Sequence, residues 1–410
     1  MDLFFSAETI ADVLSVSKRN VISWVNNGKL VPELNPDKYQ KPYTRKQLEV
    51  FHEFNQMFNS TWDEQISIKP IRDYSLIELF AGGGGLALGL EKAGFKSLML
   101  NELEKAPCDT LKTNRPHWNV IHEDICNIDF TKFKDNVDLL TGGFPCQPFS
   151  YAGKKLGLYD IRGTLVFQML RAIQEIRPKV FLIENVKGLE SDNGGKTLLI
   201  IIEFIKELGY SIIEKHVYKT MMYKVPQKRE RFILIGVRNE LADKAKFERP
   251  SYFKKIVTVR DALKKGILYD SNVPDSPGQK YPVRKEEIMS CVPEGGYWRD
   301  LPLELQMEYM KGSFYLGGGK TGMARRLSWD KPSLTLTCAP AQKQTERCHP
   351  SENRPLTTRE YARIQTFPDD WIFKGTMTQI YKQIGNAVPV NFAIAIGKSI
   401  VKLLNDLEKR

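Results

Sequence analysis

Apolar residues along this chain follow two different periods, and the change between them divides it. In residues 1–58 they recur at helical spacing. Ile10, Val13 and Leu14, then Val21, Trp24 and Val25, give two short segments one apolar stripe each. Ser6 and Ser17 stand where N-caps belong, which predicts helices over Ala7–Leu14 and Lys18–Asn26, the second ended by Gly28. Leu30 through Tyr43 suit a wing, and Thr44 opens a third helix expected to reach about Phe58. From residue 74 the texture changes. Leu76–Phe80, Leu98–Leu100, the run before Asp124, Val137–Leu140 and Val180–Ile183 read as buried strands. Val166–Ile176, stopped by Pro178, and Leu198–Leu208, capped by Gly209, read as helices. Apolar strands alternating with helices predict a mostly parallel α/β sheet.

Two stretches lie outside that alternation. Residues 59–73 are polar, hold Pro70 and suit a linker. In residues 238–353, Pro, Gly and basic residues interrupt short runs, the texture of an insert whose loops do recognition. The α/β pattern resumes at Arg354, so residues 74–237 and 354–410 are expected to form one domain around the insert.

Charge sharpens this division. The formal net charge is +11 over 410 residues. Residues 238–349 hold 20 Lys and Arg against 14 Asp and Glu, whereas residues 1–60 hold seven of each. More than half of the excess falls in the insert, which suggests a polyanionic partner there. No apolar run approaches the ~20 residues of a membrane span, and the N-terminus lacks the basic start of a signal peptide, so a cytoplasmic, membrane-free protein is expected. Six scattered cysteines without a CxxC pair and five scattered histidines show no metal-ligand spacing, and no metal is expected.

Candidate chemistry sits at the strand ends. Gly142-Gly143-Phe144-Pro145-Cys146-Gln147-Pro148-Phe149-Ser150 follows the fourth strand, and puts one thiol on a rigid turn between two prolines. Most cysteines are buried and inert, so the thiol alone decides little. At the first strand, Phe80-Ala81-Gly82-Gly83-Gly84-Gly85 leads directly into a helix, a turn that lets backbone amides approach a ligand. Glu102 ends the second run, where a carboxylate can take both ribose hydroxyls of a nucleoside. Asp124-Ile125 ends the third and could meet an adenine amino group. Glu184-Asn185-Val186 ends Val180–Ile183, and Gln227-Lys228-Arg229-Glu230-Arg231 carries two arginines on one face of an extended segment. As a solitary motif the last would be a solvated charge run.

Taken in order, these motifs resemble the DNA (cytosine-5)-methyltransferases, over about four fifths of the chain. The nonapeptide resembles the family's catalytic Pro-Cys signature. Phe80, Gly82, Gly84 and Gly85 match its F-x-G-x-G-G pattern, Thr357–Pro368 its ninth motif and Gln383–Pro389 its tenth. The resemblance implies a Rossmann-like S-adenosylmethionine-dependent methyltransferase domain, a doubly wound mixed sheet, with a smaller irregular target-recognition domain at 238–353. It implies S-adenosyl-L-methionine as cofactor, S-adenosyl-L-homocysteine as product, and a pocket made of Phe80, Gly82, Gly84, Gly85, Glu102, Asp124, Ile125, Pro145, Leu165 and Asn386. Cys146, Glu184, Arg229 and Arg231 would be catalytic. Cys146 would add to carbon 6 of a cytosine flipped out of double-stranded DNA, Glu184 would serve ring nitrogen 3, and Arg229 would hold the base carbonyl. Gln147, Ser150 and Arg162 in the loop after the cysteine, Gln227, and Arg325, Arg326, Thr335 and Thr337 in the insert would contact DNA. Residues 1–58 are similar to a MerR-type winged helix-turn-helix, with Lys18, Arg19, Asn20 and Ser23 facing a groove, for added DNA contacts or an operator. A monomer in a bacterial restriction-modification system, associated with the nucleoid, is the expected setting.

Three rival readings fit the residues less well. An RNA cytosine methyltransferase would share the motifs but lack a large recognition insert. A transcription regulator with a vestigial methylase body sits poorly with an intact Cys146, Glu184 and arginine motif. A glycine-loop dehydrogenase leaves the PCQ and ENV triplets unexplained.

Overall fold

The computed structural model describes residues 4–34, 42–144 and 165–409. A small N-terminal unit comes first. Strand β1 (Phe4–Phe5) pairs antiparallel with β2 (Tyr43–Thr44), around helices α1 (Ala7–Leu14) and α2 (Lys18–Asn26). Ser6 and Ser17 cap these helices through their hydroxyls, as expected. The single helix expected from Thr44 to Phe58 is two, α3 (Arg45–Leu48) and α4 (His52–Phe58). Thr44 and Gln47 form a capping box at the first, and the chain breaks between them so that Phe54 and Phe58 can pack on Phe5.

Residues 59–73 are not a loose tether. They contain α5 (Trp62–Ser67), whose buried Trp62 meets Phe253 edge-to-face. Farther on, Arg72 holds both oxygens of Asp138, at 2.5 and 2.8 Å, and reaches Glu408 at 2.8 Å near the end of the chain.

The main domain is a seven-stranded sheet in the order β5-β4-β3-β6-β7-β10-β8. Its strands are β3 (Tyr74–Leu79), β4 (Phe95–Glu102), β5 (Val120–His122), β6 (Leu139–Gly142), β7 (Val180–Asn185), β8 (Tyr210–Lys219) and β10 (Glu230–Arg238). The first five strands in the order are parallel, and β10 runs antiparallel to both its neighbours. The start of β10 therefore arrives at the edge where β3, β4, β6 and β7 end, the usual ligand edge of an open α/β sheet. Between these strands come α6 (Gly85–Ala93), α7 (Lys105–Asn114), α8 (Leu165–Ile176) and α9 (Lys196–Glu207). A two-residue strand, β9 (Gln227–Lys228), pairs in parallel with β11 (Ser333–Leu334) from the insert.

The insert is mostly irregular, as its texture predicts. It holds α10 (Val259–Leu263), which packs into the main domain's apolar cluster, and α11 (Val283–Ser290) and α12 (Leu303–Met310), around an apolar cluster of their own. Helices α13 (Thr358–Ile364), α14 (Met377–Asn386) and α15 (Val390–Glu408) return to the main domain. Helix α15 packs on α6 at close range. A Cβ on Gly89 would stand 2.3 Å from Ala393 Cβ, and one on Gly397 2.7 Å from Ala93 Cβ. The stretch Met377–Glu408 is long and apolar enough to cross a membrane, but 83% of its most apolar window is buried in the fold. It holds α14 and α15, and α15 packs on α6.

Candidate active site

The glycine turn after β3 is shaped by contacts that exclude larger residues. Phe80 takes a left-handed φ of 58°, rare for a residue with a side chain, and its ring meets Phe144 edge-on. Gly84 takes a φ of 85°, and a Cβ there would stand 2.6 Å from Leu111 and 2.9 Å from Trp371. A Cβ on Gly85 would stand 2.2 Å from the Val388 carbonyl. The segment after α14 thus seals the turn from behind, as the tenth-motif resemblance implies. Trp371 donates its indole N–H to the Gly83 carbonyl at 3.2 Å.

Glu102 ends β4 half-buried and accepts from Gly82 N and Glu104 N, each at 2.8 Å. Each carboxylate oxygen keeps a second acceptor site. Asp124 is exposed and accepts from Cys126 N at 2.9 Å, a bond that holds its carboxyl below the ordinary range. Ile125 is buried beside it, and Leu165 packs against the same apolar cluster as Ile125, Phe80 and Phe144. Asn386 is exposed, and its Oδ1 accepts from the Cys338 thiol at 3.2 Å. Pro145, Cys146, Gln147, Ser150 and Arg162 lie outside the described residues.

The ends of β6, β7 and β10 converge. Ile233 pairs with Glu184 across the β7–β10 ladder, so Arg231 lies diagonally opposite Glu184 on the same face. Arg231 Nε and Glu184 Oε1 meet at 2.6 Å, and both side chains are buried. Burial pushes the Glu184 carboxyl above its ordinary range in spite of the guanidinium. Gly143 lies against the other oxygen, where a Cβ would stand 2.7 Å from Glu184 Oε2. Asn185 Nδ2 donates to the Phe144 carbonyl at 3.1 Å and ties β7 to the strand that leads to the cysteine.

Other expected contacts are placed differently. Arg229 is buried, and its guanidinium donates to the carbonyls of Leu336, Gly385 and Asn386 at 3.1, 2.8 and 3.4 Å. It braces the insert against the tenth motif and is not held by Glu184. Gln227, expected to touch DNA, is fully buried. Its amide donates to Gln365 at 3.0 Å and accepts from Leu336 N at 2.8 Å. Arg326 is 4% exposed, and its donors go to Val292, His349, Glu352, Met289 and Asn353. A guanidinium so saturated is a strut of the insert, not a reader of bases. Arg325 is half-buried, donates to Thr321 and Gly295, and stacks over Tyr297. Thr335 donates to the Lys228 carbonyl at 2.6 Å, and the Thr337 hydroxyl shares a hydrogen bond with Thr345. Lys18, Arg19, Asn20 and Ser23 are exposed on α2.

Glu78, which no motif marks, is a further acid near this convergence. It lies on β3 and is buried, with Oε2 lacking a hydrogen-bond partner. Burial pushes its carboxyl well above the ordinary range, and the nearby Glu184 adds to the shift. Among the described residues no group of three His, Cys, Asp or Glu could hold a metal ion. A cavity of about 700 Å³ lies at Trp329, His349 and Arg354, away from this convergence.

Comparison with known proteins agrees with the geometry. The chain is 68% identical to the type II methyltransferase M.PspPI of Psychrobacter over 408 residues, covering 100% of this chain and 98% of that one. It is 59% identical to the type II methyltransferase M.Eco47II of Escherichia coli, covering 99% and 97%. An E. coli prophage-encoded protein, described as a DNA modification methyltransferase, superposes with a TM-score of 0.58 at 25% identity, over 81% of this chain and all of its own. Residues 74–402 match the family described as C-5 cytosine-specific DNA methylase. The chain belongs to that family and is a DNA (cytosine-5)-methyltransferase.

Proposed function

We propose that this enzyme flips a cytosine out of a specific duplex site and methylates its carbon 5 through a covalent bond between Cys146 and carbon 6. The observation that carries this reading is the buried Glu184–Arg231 pair beside Gly143. Carbon 5 of cytosine is a poor nucleophile, and addition of a thiolate at carbon 6 makes it an enamine carbon. Addition puts negative charge on the ring. A carboxyl whose protonated form is favoured by burial can donate to ring nitrogen 3 and relieve that charge. Arg231, held beside Glu184, would serve the base carbonyl, the role that the resemblance gives to Arg229. Loss of the carbon 5 proton then expels the thiolate.

S-adenosylmethionine fits the glycine turn. At Gly82 a Cβ would meet nothing within 4 Å, so the turn leaves open space where an adenosyl group would pass, while Gly84 and Gly85 pack against the fold. Glu102 keeps acceptor sites for ribose hydroxyls, Asp124 and Ile125 would meet the adenine, and Phe80, Leu165 and Asn386 would line the rest. Bound there, this cofactor supplies a methyl group on a sulfonium.

The names of the relatives favour a modification enzyme that protects host DNA in restriction-modification. The exposed face of α2, with Lys18, Arg19, Asn20 and Ser23, would add DNA contacts of helix-turn-helix type. Bisulfite sequencing of DNA from cells that express the protein tests the reading. Protection of one cytosine in a recurrent short site supports it. No protected site in duplex DNA, with methyl transfer to tRNA instead, overturns it.

A further inference from the structure

The N-terminal helix α1 turns its acidic side onto the seam between the catalytic and recognition segments. Asp12 Oδ2 meets Lys228 Nζ at 2.5 Å, and Glu8 Oε2 meets Lys331 Nζ at 2.5 Å. Glu8 Oε1 also stands 3.8 Å from Lys228. At the end of the same helix, the Val13 carbonyl accepts from Lys219 Nζ at 2.5 Å.

These lysines belong to different segments. Lys228 lies on β9, one residue before Arg229, and pairs with Leu334 in the β9–β11 ladder. Its carbonyl accepts from Thr335. Lys331 lies in the turn that leads the insert into β11, and its carbonyl accepts from Val259 N at 3.0 Å at the start of α10. Two carboxylates one helical turn apart therefore hold the short strand before Arg229 and Arg231 and the turn that leads the insert into β11. The Asp12–Lys228 pair is sheltered, its side chains 23% and 22% exposed, so solvent and salt screen it less than an open surface pair.

We propose that Glu8 and Asp12 are positioning residues for DNA binding, which, through Lys331 and Lys228, fix the recognition segment against the strand that carries Arg231. The inference rests on the reading of the chain as a duplex-DNA methyltransferase. Neither carboxylate touches the base or the cofactor pocket. Without them the seam samples more orientations, and binding must then order it. The loss therefore falls on the Michaelis constant for DNA and not on the turnover of bound DNA.

The test separates this from plain electrostatics by its sign. Removal of two negative charges from a DNA-binding protein would by itself tighten DNA binding. In the full-length enzyme, Glu8→Gln with Asp12→Asn is expected to raise KM for duplex DNA by about fivefold or more while kcat stays within about twofold. The exchanged pair Asp12→Lys with Lys228→Asp is expected to restore KM toward the wild-type value, where Lys228→Asp alone does not. An unchanged or lowered KM in the first variant, or an exchanged pair no better than Lys228→Asp, overturns the proposal. A wild-type enzyme that methylates no duplex DNA would overturn the underlying reading instead.

Discussion

Gly143 and Glu184 are in contact across neighbouring strands, so closely that a Cβ on Gly143 would stand 2.7 Å from Glu184 Oε2. The second glycine of the nonapeptide is thereby explained by the carboxylate beside it. Gly143→Ala must push aside a buried group already held by Arg231. We expect single-turnover methyl transfer to fall on the order of 100-fold, since displacements of about 1 Å at a reacting group have that effect. A Gly143→Ala enzyme with the wild-type rate would mean that the position of Glu184 does not matter.

The raised Glu184 carboxyl makes a pH prediction. Burial raises it, so the protonated form persists above the ordinary carboxylate range and is lost as pH rises through the raised value. If that form serves ring nitrogen 3, transfer declines on the alkaline side, opposite to the demand of a thiolate. Glu184→Gln cannot lose a proton, so it should flatten this limb and lower the plateau by about 10²- to 10⁴-fold. A pH–rate profile of the variant with the wild-type alkaline limb would assign the limb to another group.

Glu78 makes a stability prediction. Its carboxyl is buried and raised, so the native state holds a proton that the unfolded chain releases near the ordinary value of 4.5. Between that value and the raised one the native state binds more protons, and stability falls as pH rises. Glu78→Gln removes this contribution. Urea midpoints at about pH 5 and about pH 8 should drop less in the variant than in the wild type. Equal drops would show that Glu78 is not buried as a neutral acid.

Arg326 and Gln227 were expected at DNA and are structural. Arg326→Ala would remove a donor from five acceptor groups, of which the Met289 and Glu352 carbonyls keep another donor. We expect a loss of about 3 kcal/mol, the scale of bonds to a buried charged group. Chemical denaturation measures it. A variant as stable as the wild type but weaker on DNA would return Arg326 to the reading role.

Local signals were legible in the sequence. The Ser6 and Ser17 caps, the glycine turn at 82–85 and the carboxylates that end β4 and β7 follow from rules that span a few residues. What escaped depends on distant partners. The Q-x-R-x-R spacing puts two arginines on one face, but only the register of Ile233 on Glu184 decides that Arg231 and not Arg229 meets the carboxylate. Gln227 finds Gln365 across 138 residues, and nothing near Gln227 announces that bond. Glu78 was hidden within an apolar strand, where its neighbours Ile77 and Leu79 drew the eye.

The central claim is that Cys146 bonds to the target base. Duplex DNA with 5-fluorocytosine at the methylated position replaces the carbon 5 proton by fluorine, which cannot leave as a proton, so the adduct should accumulate. The account predicts a denaturation-resistant enzyme–DNA complex that requires S-adenosylmethionine and is absent in Cys146→Ser. Turnover on the native site without any such complex, or methyl transfer by Cys146→Ser, would contradict it.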